Sequence, residues 1–230
     1  MNKPVLIGVG GISRAGKDTF VKVAHKILHQ YGYTSFRLAF ADALKDEINP
    51  FLEQYYGISA WTDKTEEKNI IRPLLVAHGC QMRVLYPNYW IDKLDEKVRS
   101  DFLNTDVVFI SDCRFPNEVD WVQNECGGWF VHLKKYSMVK QYQLPECERE
   151  EKDSYTTLIK KFDLPPNAEE TYNDPICEKK ANINLEMENA IEREFRLTHN
   201  KITVESLVDN TYLNEEIKLC LLKCPLLNLE

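Results

Sequence analysis

What this 230-residue sequence lacks narrows its class before any motif is read. No apolar run approaches the ~20 residues a helix needs to span a bilayer, so no membrane partner is expected. The opening MNKPVLIGVGGI has one lysine, a short apolar stretch and no small-residue cleavage pattern, which does not make a secretory leader. Seven cysteines, at 80, 113, 126, 147, 177, 220 and 224, form neither a CxxC pair nor a zinc-like Cys/His cluster. An odd, scattered set reads as reduced thiols and predicts a reducing cytoplasm. Basic residues are outnumbered, 29 against 36, for a net charge of −7. That balance disfavours non-specific attraction to nucleic-acid backbones, and no nucleic-acid partner is expected. No internal repeat points to a solenoid. A guanine-type Asn-Lys-x-Asp signature is also missing, since the nearest string, Asn200-Lys201-Ile202-Thr203, lacks the aspartate.

What is present suits one globular domain over residues 1–230. Hydrophobic residues make up 43% and charged residues 28%, enough apolar material for a sizeable core. A small polyanion needs only a few positive groups and oriented amides in one place, so the acidic balance leaves a local anion site open.

The chain begins with a buried-type strand, Pro4 to Gly10, then a loop, then apolar residues at helical spacing (Phe20, Val21, Ala24, Ile27, Leu28) until Gly32. A second strand is predicted over Thr34–Phe40 and a helix over Ala43–Tyr56. The TDKTEEKN stretch reads as a polar connection. Helices are predicted over Ile70–Leu85, with Pro73 in the first turn, and from Tyr89 to about Leu103, which makes residues 41–104 a helical insertion. VVFIS within Asp106–Ser111 reads as a central strand, with Asp112 and Arg114 in the loop after it and a helix near Asn117–Glu125. Trp129–Leu133 reads as a fourth strand and Lys134–Arg149 as a polar segment able to close over a ligand. Residues 134–200 are a lid or insertion without a legible core pattern, apart from a helical stretch around Leu185–Phe195. A last strand is expected at Lys201–Val208 and a helix at Tyr212–Leu222. Strands alternating with helices predict a three-layer α/β fold with a mostly parallel sheet.

The sharpest signal is Gly11-Ile12-Ser13-Arg14-Ala15-Gly16-Lys17-Asp18-Thr19, which lies between a predicted strand and helix. Its glycines let amides turn toward phosphate oxygens, the helix presents its positive end, and Lys17 adds a cation for the β- and γ-phosphates. The loop predicts ATP as cofactor. Asp18 stands where a Mg²⁺-binding Ser or Thr is usual, with Thr19 next, so both are candidate metal ligands. Asp18 also suits the helix N-terminus as a charge. A ligand-free glycine turn is the bland alternative.

GKDT in this loop, RPLLVAHG with PNYW after it, and VVFISDCRFPNEVD before a GG turn resemble the bacteriophage deoxynucleoside monophosphate kinases of the P-loop kinase superfamily. The likeness covers roughly residues 4 to 135, with a weaker echo at ITVESLVDN. It implies a P-loop NTPase fold, Mg-ATP-dependent conversion of deoxynucleoside monophosphates to diphosphates, commonly a dimer, and a host-cell cytoplasm. Lys17 would contact ATP within a cradle of Gly11, Ser13, Arg14, Ala15, Gly16, Asp18 and Thr19. Arg72, heading the RPLL helix, would serve the acceptor phosphate; a solvated surface arginine is the alternative. Asp112 would hold Mg²⁺ or orient the acceptor and Arg114 would neutralise the transferring group, unless the two form only a structural ion pair. Asp42 and Lys45 fall near the monophosphate site, although Asp42 also suits a helix cap. Asn117 suits a helix cap as well, with Glu118 in its first turn. Trp90 beside Tyr89 fits core packing or base stacking. The lid motif usual in the family has no counterpart in residues 136–200, which leaves Lys134, Lys135 and Arg149 as ATP contacts by position and charge alone. Glycine-rich loops of the GKD type also resemble those of phosphomevalonate kinases, so another small acceptor, or a nucleotide-driven switch, stays open.

Overall fold

The computed structural model describes residues 3–102, 104–142, 156–188, 196–197, 200–201 and 210–229. β1 (Val5–Gly10) leads through the glycine-rich loop into α1 (Lys17–Gln30), and β2 (Ser35–Leu38) is followed by α2 (Phe40–Tyr56), α3 (Thr65–Leu85) and α4 (Tyr89–Asp101). β3 (Val107–Cys113) runs into the short α5 (Pro116–Asp120) and a π-helical turn over Trp121–Glu125. Next come β4 (Trp129–Tyr142), β5 (Thr156–Phe162), α6 (Ala168–Lys180) and β6 (Ile183–Glu188). The short strands β7 (Arg196–Leu197) and β8 (Asn200–Lys201) pair with each other, and α7 (Asn210–Leu222) follows.

Among the described residues, five strands run parallel. β2 pairs β3, β3 pairs β1, β1 pairs β4 and β4 pairs β6. Val131 of β4 faces Val9 on one side and Ile183 on the other, which gives the spatial order β2-β3-β1-β4-β6. Beyond Leu133, β4 continues as one arm of an antiparallel pair with β5, in register from Tyr136↔Phe162 to Tyr142↔Thr156. Two cores flank the sheet, as the alternation of strand side chains requires. Ile7, Val9, Phe109 and Val131 pack on Phe20, Ala24 and Leu28 of α1 and on Ile217 and Leu221 of α7. Leu6, Val108, Ile110 and Phe130 pack on the other side against Trp90, Ile91 and Leu94 of α4 and Val119 of α5. This is the expected three-layer α/β fold.

Several boundaries differ from the sequence-based expectation. α3 starts at Thr65, so the last five residues of the polar TDKTEEKN stretch are helical; Glu66 and Glu67 sit in its first turn, where the helix dipole favours acids. Pro73 therefore lies inside α3, and it is tolerated because it and Asn69, whose carbonyl loses its partner, are both exposed to water. β3 runs to Cys113, which places Asp112 in the strand rather than in a loop. β4 reaches Tyr142, so the first part of the expected closing segment is strand. Residues 183–188 form a strand, not a helix: Leu185 and Met187 alternate into the core while Glu186 and Glu188 face out. The fifth parallel strand is thus β6, and the strand expected at Lys201–Val208 falls almost wholly outside the described residues. No described helix is long and apolar enough to cross a membrane.

Candidate active site

The loop Gly11–Gly16 wraps the carboxyl end of β1 at the crevice where open α/β sheets bind ligands. Gly11 has φ 121° and Gly16 φ 93°, and Arg14, with φ 65°, adopts the left-handed conformation without being glycine. A Cβ on Gly11 would lie 2.3 Å from the Leu133 carbonyl oxygen, so the close approach of β4 requires this glycine as much as any ligand does. α1 begins at Lys17, and its first-turn amides have no partners within the helix. Lys17 Nζ donates to the Gly11 and Ile12 carbonyls, each at 2.7 Å, and so folds back over the loop. Burial, then the Arg114 charge, lowers the Lys17 pKa, an electrostatic setting in which an anion would restore the balance. Asp18 and Thr19 are exposed on the same turn, and Ala15 is buried beneath the loop.

One acid already touches the loop. Glu170, in the first turn of α6 and 4% exposed, accepts from the Ser13 amide at 3.1 Å and from Arg114 Nη1 at 3.0 Å through the same oxygen, Oε1. The N-cap Asn167 accepts from the Glu170 amide at 2.8 Å and fixes where this helix starts.

Next to the loop lies a cavity of about 220 Å³ between α2, α3 and the end of β3. Its apolar walls include Phe40, Leu44, Leu75, Trp90 and Phe115, and its charged groups are Lys45, Arg83, Arg114, Asp112 and Glu169. Arg114 belongs to both halves, since its guanidinium reaches Glu170 at the loop and its side chain lines the cavity. Arg83 stacks on the Phe115 ring at 4.1 Å and donates to Glu118 Oε1 at 3.1 Å. Glu118 Oε2 accepts from the Arg114 and Phe115 amides, at 2.8 and 3.1 Å. A single buried carboxyl thus holds the cavity arginine and the turn after β3. Burial pushes the Glu118 pKa up to about 7 despite Arg83 beside it. Asp112 accepts from the Phe40 and Ala41 amides, at 2.8 and 2.9 Å, and so caps α2, while burial raises its pKa.

The other expected residues are divided. Lys45 lines the cavity, with its ammonium 4.6 Å from the Trp61 ring centre. Trp90 also lines it, but as core: its indole N–H donates to the Gly79 carbonyl at 3.2 Å and it is 2% exposed. Asp42 bonds Arg37 at 2.9 Å and is not among the cavity residues. Arg72 is exposed and also outside the cavity lining. Arg83, eleven positions on and about three helical turns along, shares the same face of α3, lines the cavity, and contacts Glu118 and the Phe115 ring beyond β3. Lys134 pairs with Glu178, and Arg149 lies outside the described residues. The one signal for Glu170 in the sequence is the Asn167-x-x-Glu170 spacing of a capping box. Among the described residues no three His, Cys, Asp or Glu side chains cluster as a self-sufficient metal cage.

No protein family is matched by the chain, and no curated protein matches it. Among solved structures it aligns with a gluconokinase from Sinorhizobium meliloti at 20% identity, over 57% of this chain and 58% of that one, with a TM-score of 0.28. It also aligns with a Janibacter sugar kinase (18% identity, 57% and 61% covered, TM-score 0.29) and with TT1252 from Thermus thermophilus (16%, 58% and 67%, TM-score 0.31). The chain spans about three fifths of the length of most of these proteins. Likenesses of this size bear on neither activity nor substrate, and the site is interpreted from its own geometry.

Proposed function

We propose that the protein transfers the γ-phosphoryl group of ATP to a nucleoside monophosphate, with a deoxynucleotide favoured by the resemblance of its RPLLVAHG and DCRFPNEVD blocks. The observation that carries the reading is the shared Arg114, which joins a phosphate-loop crevice to a separate, arginine-lined cavity of about 220 Å³. A switch that only hydrolyses its nucleotide has no need of this second compartment.

In the reaction a phosphate oxygen of the acceptor attacks the γ-phosphorus in line. The bond from that phosphorus to the β–γ bridging oxygen breaks, and ADP leaves with the electron pair. No covalent enzyme intermediate is required, and catalysis rests on positioning and charge. Lys17, released from the Gly11 and Ile12 carbonyls, would bind the β- and γ-phosphates. Arg114 would stabilise the equatorial oxygens, and Arg83, with Lys45, would hold the acceptor phosphate. Glu118 keeps Arg83 and the Arg114 turn in register. Asp18, Thr19 and Asp112 are hard oxygen donors that suit Mg²⁺, which takes one or two carboxylates together with nucleotide phosphates. When bound, Mg²⁺ would supply charge neutralisation on the triphosphate.

The test is diphosphate formation from a panel of ribo- and deoxynucleoside monophosphates with Mg-ATP, beside an acceptor-free control. Product that depends on the acceptor supports the kinase and reveals its base preference. ATP hydrolysis indifferent to every acceptor would refute it.

A further inference from the structure

Glu170 is poorly explained as an ordinary structural acid. It is 4% exposed, and among the described residues only Oε1 is bonded, to the Ser13 amide and Arg114, while Oε2 is buried without a partner there. A carboxyl selected to lock two elements together would satisfy both oxygens, because an unpaired buried acceptor is costly. Its two donors are a glycine-loop amide and the guanidinium shared by loop and cavity, the groups an incoming phosphate would use. Lys17 meanwhile bonds loop carbonyls rather than an anion.

The element that carries Glu170 is held mainly by polar contacts. Its buried side chains are Glu170, Asn173 and Cys177, so little apolar area fixes α6 to the molecule. Further along the helix, His132 Nε2 meets Asp174 at 2.9 Å and Lys180 meets Asp120 at 2.5 Å. Asp174 and Lys180 follow Glu170 by four and ten positions along α6, so these ties would persist if only the first turn moved.

We propose that Glu170 is a resident competitor of the nucleotide: its carboxylate occupies a phosphate position on the Ser13 amide and Arg114, so triphosphate binding expels it and frees the first turn of α6. This rests on the reading of the glycine loop as a phosphate site. The half-satisfied carboxylate makes exchange easy, since a phosphate offers several acceptor oxygens to the same donors. The helix start is thereby coupled to occupancy of the loop.

The experiment is calorimetric titration of sodium pyrophosphate and of ATP into the wild type, Glu170→Gln and Glu170→Ala. Hydrogen exchange over residues 168–172 of the wild type is followed in parallel, with and without pyrophosphate. If Glu170 holds the site in about nine molecules of ten, its removal tightens apparent binding about tenfold. Pyrophosphate should also speed exchange in the wild-type segment, a change that a purely structural acid would not produce. Wild-type binding that is equalled or weakened in both variants, or exchange that slows on binding, overturns the proposal. If neither the wild type nor the folded variants bind ATP or pyrophosphate, the phosphate-loop reading fails, and the proposal with it.

Discussion

Arg72 and Arg83 share a face of α3, but only Arg83 lines the cavity, so substitution separates two otherwise similar side chains. Under the proposed reaction, Arg83→Ala is expected to lower kcat/KM for the proposed monophosphate acceptor by about 10- to 100-fold, from the loss of charged hydrogen bonds worth ~1.5–3 kcal/mol, with a much smaller effect on ATP. Arg72→Ala should leave both constants close to the wild type, and steady-state kinetics with each substrate varied decides the matter. At the loop, Lys17→Ala should abolish turnover while the circular dichroism spectrum is preserved; near-wild-type turnover would remove Lys17 from the mechanism. Glu118 gives a pH signature. Its ordinary pKa of 4.5 is raised to about 7 in the fold, so its contribution to stability is fully present below 4.5 and lost as pH rises to about 7. Urea unfolding from about pH 4.5 to 8 should show stability falling with pH in the wild type relative to Glu118→Gln, and the difference should level off above about pH 7.

At the scale of elements, helix faces and strand alternation follow directly from residue spacing, which is why α1, β1 and α7 stand close to where the sequence places them. α3 departs because a helix may carry a proline in its interior when the exposed side faces water. Pro73→Ala should accordingly raise stability by about 1–3 kcal/mol, measured as a shift in the denaturation midpoint. β6 was illegible for a different reason. Its sequence, INLEME, has only a brief alternation, and the charged run after it imitates a helix, whereas pairing with β4 selects the strand. Gly11 illustrates the converse. The motif assigns it to the ligand, yet a methyl group at this position would sit 2.3 Å from the Leu133 carbonyl oxygen, so the sheet also demands it. Gly11→Ala is therefore expected to lower thermal stability even without nucleotide, by about 2–4 kcal/mol.

For the whole molecule, the sheet order β2-β3-β1-β4-β6 sets the loop, the end of β3 and the start of α6 around one crevice, with α2 and α3 enclosing the second compartment. A ligand that binds the folded chain and not the unfolded one raises global stability, and ATP at about 100 times its dissociation constant should add about 2.7 kcal/mol to wild-type unfolding. The sequence by itself determined the α/β class and the glycine-rich turn between β1 and α1, and it singled out Lys17, Asp112 and Arg114 as candidates, because these depend on local periodicity and on motifs confined to neighbouring residues. Only the tertiary structure decided that Arg83 rather than Arg72 lines the cavity, that Asp112 caps α2, and that Glu170 reaches the loop from 157 positions away. Such choices depend on how strand ends and helix faces meet across the sheet, and spacing along the chain carries no record of that distance.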